Sequence, residues 1–302
     1  MLKQFIKPIY HLSHDLLFQT RQINPLFKQK HGGYPILQGH ISDEHLADPA
    51  LEEILVKGLE EIGVSVTPYE IDIEAYYQYL ERAQYPVTYY GGGLDPQQNF
   101  TEKTLEHYVS LDFLNLQTES VFIDVAACTS PFFQIIRRLY DVKATYNQDL
   151  IFEPGLHGDR IGGYGHELHL PDGSVDGVTL HCSLEHFEDD TDTKFFQELE
   201  RVLKPGGRAV ILPFYLAHEY TIHVDPAYNL LKNHRPSIDP KARLRYCSWY
   251  QFFSRHYDPQ ALQERILSQA PSLKLSVHQV QNFREVDPNS YLRLIGVFEK
   301  QA

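Results

Sequence analysis

Cysteine is scarce in this chain. The three cysteines, Cys128, Cys182 and Cys247, are odd in number and widely spaced. They make neither a disulfide framework nor a zinc ribbon and fit a reducing cytosol, so a cytoplasmic location is expected. Long apolar runs are also missing. No stretch approaches the ~20 apolar residues that cross a bilayer. The N-terminal MLKQFIKPIYHLSHDLL is broken by Lys7, Pro8, His11, His14 and Asp15, so it lacks the continuous apolar core of a signal peptide. Lys and Arg form no cluster, and 27 of them face 40 Asp and Glu, for a net charge of −13. That balance disfavours nucleic acids and anionic membranes as partners. What the sequence does have is aromatic bulk: 20 Tyr and 17 Phe against one Trp and one Met. Such side chains either line a cleft or fill a core.

The 302 residues suffice for one large α/β domain with an appendage, or for two modest domains. Residues 1–40 are weakly patterned. From Ser42, Leu46, Leu51, Ile54, Leu55, Leu59 and Ile62 recur at helical spacing, with Gly63 as a stop. Residues 70–82 and 101–114 read as two further helices, separated by a loop or hinge at Gly91-Gly92-Gly93. The remainder alternates. Strands are expected at 121–128, 142–149, 175–183 and 208–214, with helices at 131–140 and 194–204, the second ended by Pro205-Gly206-Gly207. Two strands at 273–283 and 291–300 close the chain as a hairpin. This alternation predicts a doubly wound, mostly parallel sheet with helices on both faces and an antiparallel C-terminal hairpin. The expected organisation is an N-terminal helical extension and lid over 1–110, then a Rossmann-like domain over 111–302 with an insertion at 215–258.

The stretch LHLPDGSVDGVTLHCSLEHFEDDTDTKFFQELERVLKPGGRAVILPFY, residues 168–215, carries the most information. Its Pro171-Asp172-Gly173-Ser174, Asp176, Leu184-Glu185-His186, Glu198 and Arg201 through Gly207 match, without gaps, the central segment of class I S-adenosylmethionine (SAM) dependent methyltransferases. The chain resembles the branch of that family acting on small molecules. The resemblance implies SAM as cofactor, a small-molecule acceptor (a secondary metabolite or a sugar), and a cofactor loop after the first strand. Family members carry an acid and three alternating glycines there. This chain has Asp124 followed by Ala126, Cys128 and Ser130. A Cβ in a left-handed backbone costs about 1–2 kcal/mol, so a less strained loop is expected. Ser130-Pro131 would begin a helix whose N-terminus holds the cofactor carboxylate.

The resemblance further assigns Asp149, with Leu150 beside it, to the ribose, Tyr164 and Gly165 to the adenine, and Cys182 to the cofactor edge of the fourth strand. His181, Glu185 and His186 are the acid–base candidates, since an imidazole titrates near neutrality. Lys103, His107 and Tyr108 of the lid would face the pocket. His157, His166, His169, His181 and His186 match no compact metal motif, and no metal site is expected. Two alternatives stand beside methyl transfer. One is different chemistry on this fold, suggested by the missing glycines. The other is a binding protein that has lost the cofactor.

Overall fold

The computed structural model describes residues 36–37, 41–90, 99–247 and 251–302; the three-glycine hinge read at 91–93 lies outside them. Twelve strands occur among these residues: β1 Ile36–Leu37, β2 Ser65–Tyr69, β3 Val121–Val125, β4 Ala144–His157, β5 Arg160–Gly162, β6 Val175–His181, β7 Leu203–Leu212, β8 Thr221–Val224, β9 Arg243–Cys247, β10 Ser254–His256, β11 Leu273–Val280 and β12 Leu294–Lys300. The α-helices are α1 Ile41–Ala47, α2 Pro49–Glu61, α3 Ile73–Ala83, α4 Phe100–Phe113, α5 Phe132–Tyr140, α6 Thr191–Val202, α7 Pro226–Lys232, α8 Pro259–Leu262 and α9 Phe283–Val286.

Eight strands form the main sheet in the order β2-β11-β12-β7-β6-β3-β4-β5. β12 runs antiparallel to both β11 and β7, while β7, β6, β3 and β4 are mutually parallel. The strand order reverses beside β3, between β4 and β6. In such sheets ligands bind beyond the carboxyl ends of the strands at that point. Period-two alternation splits the core between the faces. Ile123, Val125, Ala209, Ile211, Leu294 and Phe298 join α2 and α6 on one side. Phe122, Val210, Leu212, Ile295 and Val297 join α3, α4 and α5 on the other. The predicted Rossmann-like sheet with its antiparallel C-terminal hairpin is therefore present.

Several boundaries differ from expectation for local reasons. The first helix is two: α1 ends at Ala47, and Asp48 caps α2, its carboxylate accepting from Ala50 N at 3.1 Å, with Pro49 in the first turn. Leu55 and Leu59 are buried, whereas Leu46 and Ile54 are exposed. Gly63 adopts φ +80°, as a helix stop requires. Pro205-Gly206-Gly207 does not end a helix. α6 stops at Val202, β7 begins at Leu203, and the triplet makes a bulge where the β6–β7 register shifts between Val175 and Gly177. Gly206 takes φ +78° there. β4 does not end at Asp149 but continues to His157 and folds back on β5.

The N-terminal segment is not helical throughout. β2 joins the main sheet in parallel with β11, and β1 joins a second, four-stranded sheet in the order β1-β9-β8-β10, whose other strands come from residues 215–258.

Candidate active site

Two loops at the carboxyl edge of the main sheet meet α4 and residues 88–90 around a cavity of about 460 Å³. The β3 loop supplies Asp124 and residues 126–130, the end of β6 supplies His181, Cys182 and Ser183, and α4 supplies Lys103 and His107; Tyr89 and Tyr90 close one side.

The β3 loop keeps the left-handed geometry that glycine usually provides. Ala126 sits at φ 51° and Cys128 at φ 50°, so the loop is not relaxed by its side chains, contrary to expectation. Each residue bears a steric cost of about 1–2 kcal/mol. The neighbouring strand over-determines the shape. Ala126 N donates to Gln148 Oε1 at 3.0 Å, Ala127 N to Gln148 O at 3.1 Å, and Cys128 N to Asp149 Oδ2 at 2.7 Å. Asn147 Nδ2 donates to Cys128 O at 3.2 Å. Cys182, at φ 48°, and Tyr90, at φ 46°, are also left-handed. Four strained non-glycine residues thus ring one cavity, a pattern associated with function.

Asp124 is fully buried. Its Oδ1 accepts from Thr179 Oγ1 at 2.9 Å and faces His181 Nδ1 at 3.2 Å; its Oδ2 has no partner, and neither has His181 Nε2. With Nδ1–H donating to the carboxylate, Nε2 is left as an acceptor. His107 stacks on Phe132 at 4.4 Å and meets His181 edge-on at 4.7 Å. Its Nδ1 shares a 2.7 Å hydrogen bond with Tyr85, which in turn bonds Tyr79 at 2.6 Å. Burial, then the charges of His181 and Lys103, pull the His107 pKa well down, so its ring is neutral near pH 7.

Lys103 Nζ donates to Glu106 Oε1 at 2.9 Å and to Cys182 Sγ at 2.7 Å. Burial pulls this ammonium's pKa down, but its hydrogen bond to the Cys182 sulfur and the Glu106 carboxylate charge more than reverse that. Burial, then the Glu106 carboxylate, push the Cys182 thiol well up; it is protonated and donates to Glu106 Oε1 at 3.1 Å. Burial and Glu106 raise Glu102, one turn away, to about 8.

The remaining sequence candidates divide. Asp124, Ala126, Cys128, Ser130, His181 and Cys182 line the cavity. Asp149 is one step removed: its two oxygens hold the amides of Cys128 and Ile151. Gly165 packs against Val125, Phe195 and Gln148, while Leu150 and Tyr164 are exposed, with Tyr164 stacked on His166 at 5.1 Å. Glu185 is buried and raised by that burial, and its Oε2 has no partner. His186 turns toward the insertion, its Nδ1 2.6 Å from Phe253 O. Of the α4 residues expected to face the pocket, Lys103 and His107 line the cavity; Tyr108 packs instead against Tyr76 and Tyr79. Sequence reading missed Glu106, Tyr85, Tyr89 and Tyr90. The i, i+3, i+4 set Lys103, Glu106 and His107 was the available signal. Among the described residues no cluster of three or more His, Cys, Asp or Glu could hold a metal, and no helix is long and apolar enough to cross a membrane.

Residues 123–211 match the family model of a methyltransferase domain. Similar solved structures include a Burkholderia thailandensis 1,6-didemethyltoxoflavin-N1-methyltransferase with bound S-adenosylhomocysteine, 15% identical over 76% of this chain and 90% of that one, with a TM-score of 0.45. Another is a Haloferax volcanii complex of the Trm112 methyltransferase activator with a methyltransferase, 11% identical over 76% and 97%, with a TM-score of 0.44. No curated protein matches the sequence. The matched stretch runs from β3 through β7 and includes the loops after β3 and β6 that line the cavity, so this part of the chain, on a Rossmann-like sheet, is similar to a methyltransferase domain.

Proposed function

We propose that the chain transfers a methyl group from SAM to a small-molecule acceptor. The observation that carries this reading is the β3 loop, which holds Ala126 and Cys128 left-handed over a cavity at the point where strand order reverses. SAM, when bound, supplies a methyl already activated by a sulfonium, so no metal is required. The residues present suit it. Asp124 Oδ2 and His181 Nε2, both buried acceptors without partners, would receive its ammonium donors. Asp149 keeps lone pairs free for the ribose hydroxyls, since a carboxylate accepts about four hydrogen bonds. Leu150, Tyr164 and Gly165 would flank the adenine, and Ser130 and Cys182 the methionine end. His181, Glu185 and His186 are the proposed acid–base groups, with His181 nearest the cavity. The rest of the catalytic effect is alignment and exclusion of water.

One observation favours a second reading, a binding protein of the same fold without the cofactor: the amides of residues 126–128 are already engaged by β4. Titration calorimetry with SAM and with S-adenosylhomocysteine decides between them. Micromolar binding, weakened at least tenfold (about 1.4 kcal/mol) in Asp149→Ala, is expected. Binding of neither ligand to the wild-type protein supports the second reading.

A further inference from the structure

Two buried carboxylates stand directly behind residues that line the cavity: Glu106 bonds Lys103 and Cys182, and Glu185 follows Ser183 by two residues. Glu106 is fully buried and Glu185 is 4% exposed, and Oε2 of each lacks a hydrogen-bond partner. Both oxygens are acceptors. Among the described residues, the cation of this wall is Lys103, which already has its partners in Glu106 and Cys182. Buried acceptors left open are costly, and a ligand that brings donors relieves them. Aromatic rings form the adjoining wall. Tyr89 stacks on His107 at 5.7 Å, and His107 on Phe132. Acid behind and aromatic faces beside make a setting for a cation with an apolar body.

We infer that the methyl acceptor is an amine, its protonated nitrogen held by Glu106 and Glu185 beside the aromatic wall of Tyr89 and His107. This rests on the methyl-transfer reading above. In the reaction the ammonium first gives one proton to the Glu185 carboxylate. The freed nitrogen lone pair then forms the N–CH₃ bond as the S–CH₃ bond breaks, and the bonding pair stays on sulfur, turning the sulfonium into a thioether. Glu185 then passes its proton to solvent, and the product leaves as the N-methylated ammonium.

Three probes sharing one aromatic body test this: phenethylamine, 2-phenylethanol and 3-phenylpropanoate, titrated into the full chain saturated with S-adenosylhomocysteine. The amine is expected to bind at least tenfold tighter than the other two. Glu106→Gln, which keeps the shape but releases Lys103 from its carboxylate, should weaken the amine tenfold and strengthen the carboxylate. Lys103→Met, checked for folding by circular dichroism, should tighten the amine. Equal binding of the three probes, preference for the carboxylate, or no binding of any probe would overturn the inference. If S-adenosylhomocysteine itself does not bind, the same titration of the protein alone separates the two ideas. An amine preference there leaves the cation site standing and removes methyl transfer; its absence removes both.

Discussion

Asp192 on α6 and Glu106 on α4 are both fully buried carboxylates on helices that flank the same sheet, yet they are finished differently. Asp192 is saturated. Its Oδ1 accepts from Arg265 and from Thr193 N at 2.7 and 2.9 Å, and its Oδ2 from Tyr257 and Arg265 at 2.7 and 2.9 Å, with Arg255 at 2.6 Å. Burial pushes this carboxyl up, but the Arg265 hydrogen bond and the two guanidiniums more than offset it and hold the pKa below the usual range. Glu106 has one oxygen engaged and one open. A charge group whose valences are all taken inside the protein holds the molecule together; here it bolts the insertion and α8 region to the core. A group left one bond short, beside a cavity, awaits something from outside.

The contrast can be broken at several points. The largest effect is expected at the saturated end. Asp192→Asn leaves the buried Arg255 and the partly exposed Arg265 underpaired and should cost about 3–5 kcal/mol, read by urea denaturation, with the sheet otherwise intact. A loss under about 1 kcal/mol would mean that the network is not structural. Next is pH. The lowered Asp192 pKa contributes stability that is present above its unfolded value, about 3.9, and lost as pH falls below it. Glu102 runs the other way. Raised to about 8, it contributes stability that is fully present below its unfolded value of about 4.3 and lost as pH rises through about 8. Thermal melts across that range should decline in the wild-type protein by a few kcal/mol, at ~1.4 kcal/mol per pKa unit, and Glu102→Gln should flatten the decline. An unchanged slope would show that Glu102 titrates normally. The smallest effect is expected at the loop. Ala126→Gly removes left-handed strain and should gain about 1 kcal/mol, less the entropy of a freer unfolded chain. A loss of stability would show that the Ala126 methyl packs more than it strains.

The large-scale plan was legible because it is written in period, as alternating strands and amphipathic helices, and because the run from Pro171 to Gly207 resembles a family's central segment. The small sheet was not legible, since β1 and β10 have two and three residues, too short for any alternation to show. β2 carries little strand signal, since Pro68 interrupts it and proline reads against a strand interior. The site was legible where it lies on strand ends, as for Asp124 and His181. It was obscured on α4, where Glu102, Thr104, Glu106, His107 and Ser110 are polar yet buried, so a reading that equates polarity with exposure turns the helix inside out. The left-handed pair was hidden for the opposite reason: nothing in alanine or cysteine asks for that conformation, and only the contacts from Gln148 and Asp149 impose it.

β2 lies against β11, with Ser65 opposite Ser276, and Glu52 of α2 is paired with Arg293. As the ribosome delivers this stretch, β2 and α2 are therefore docked by segments made some two hundred residues later. Through that interval, at ~5–20 residues per second, they stand partly unsheltered, and an escort for nascent chains would have its longest task there.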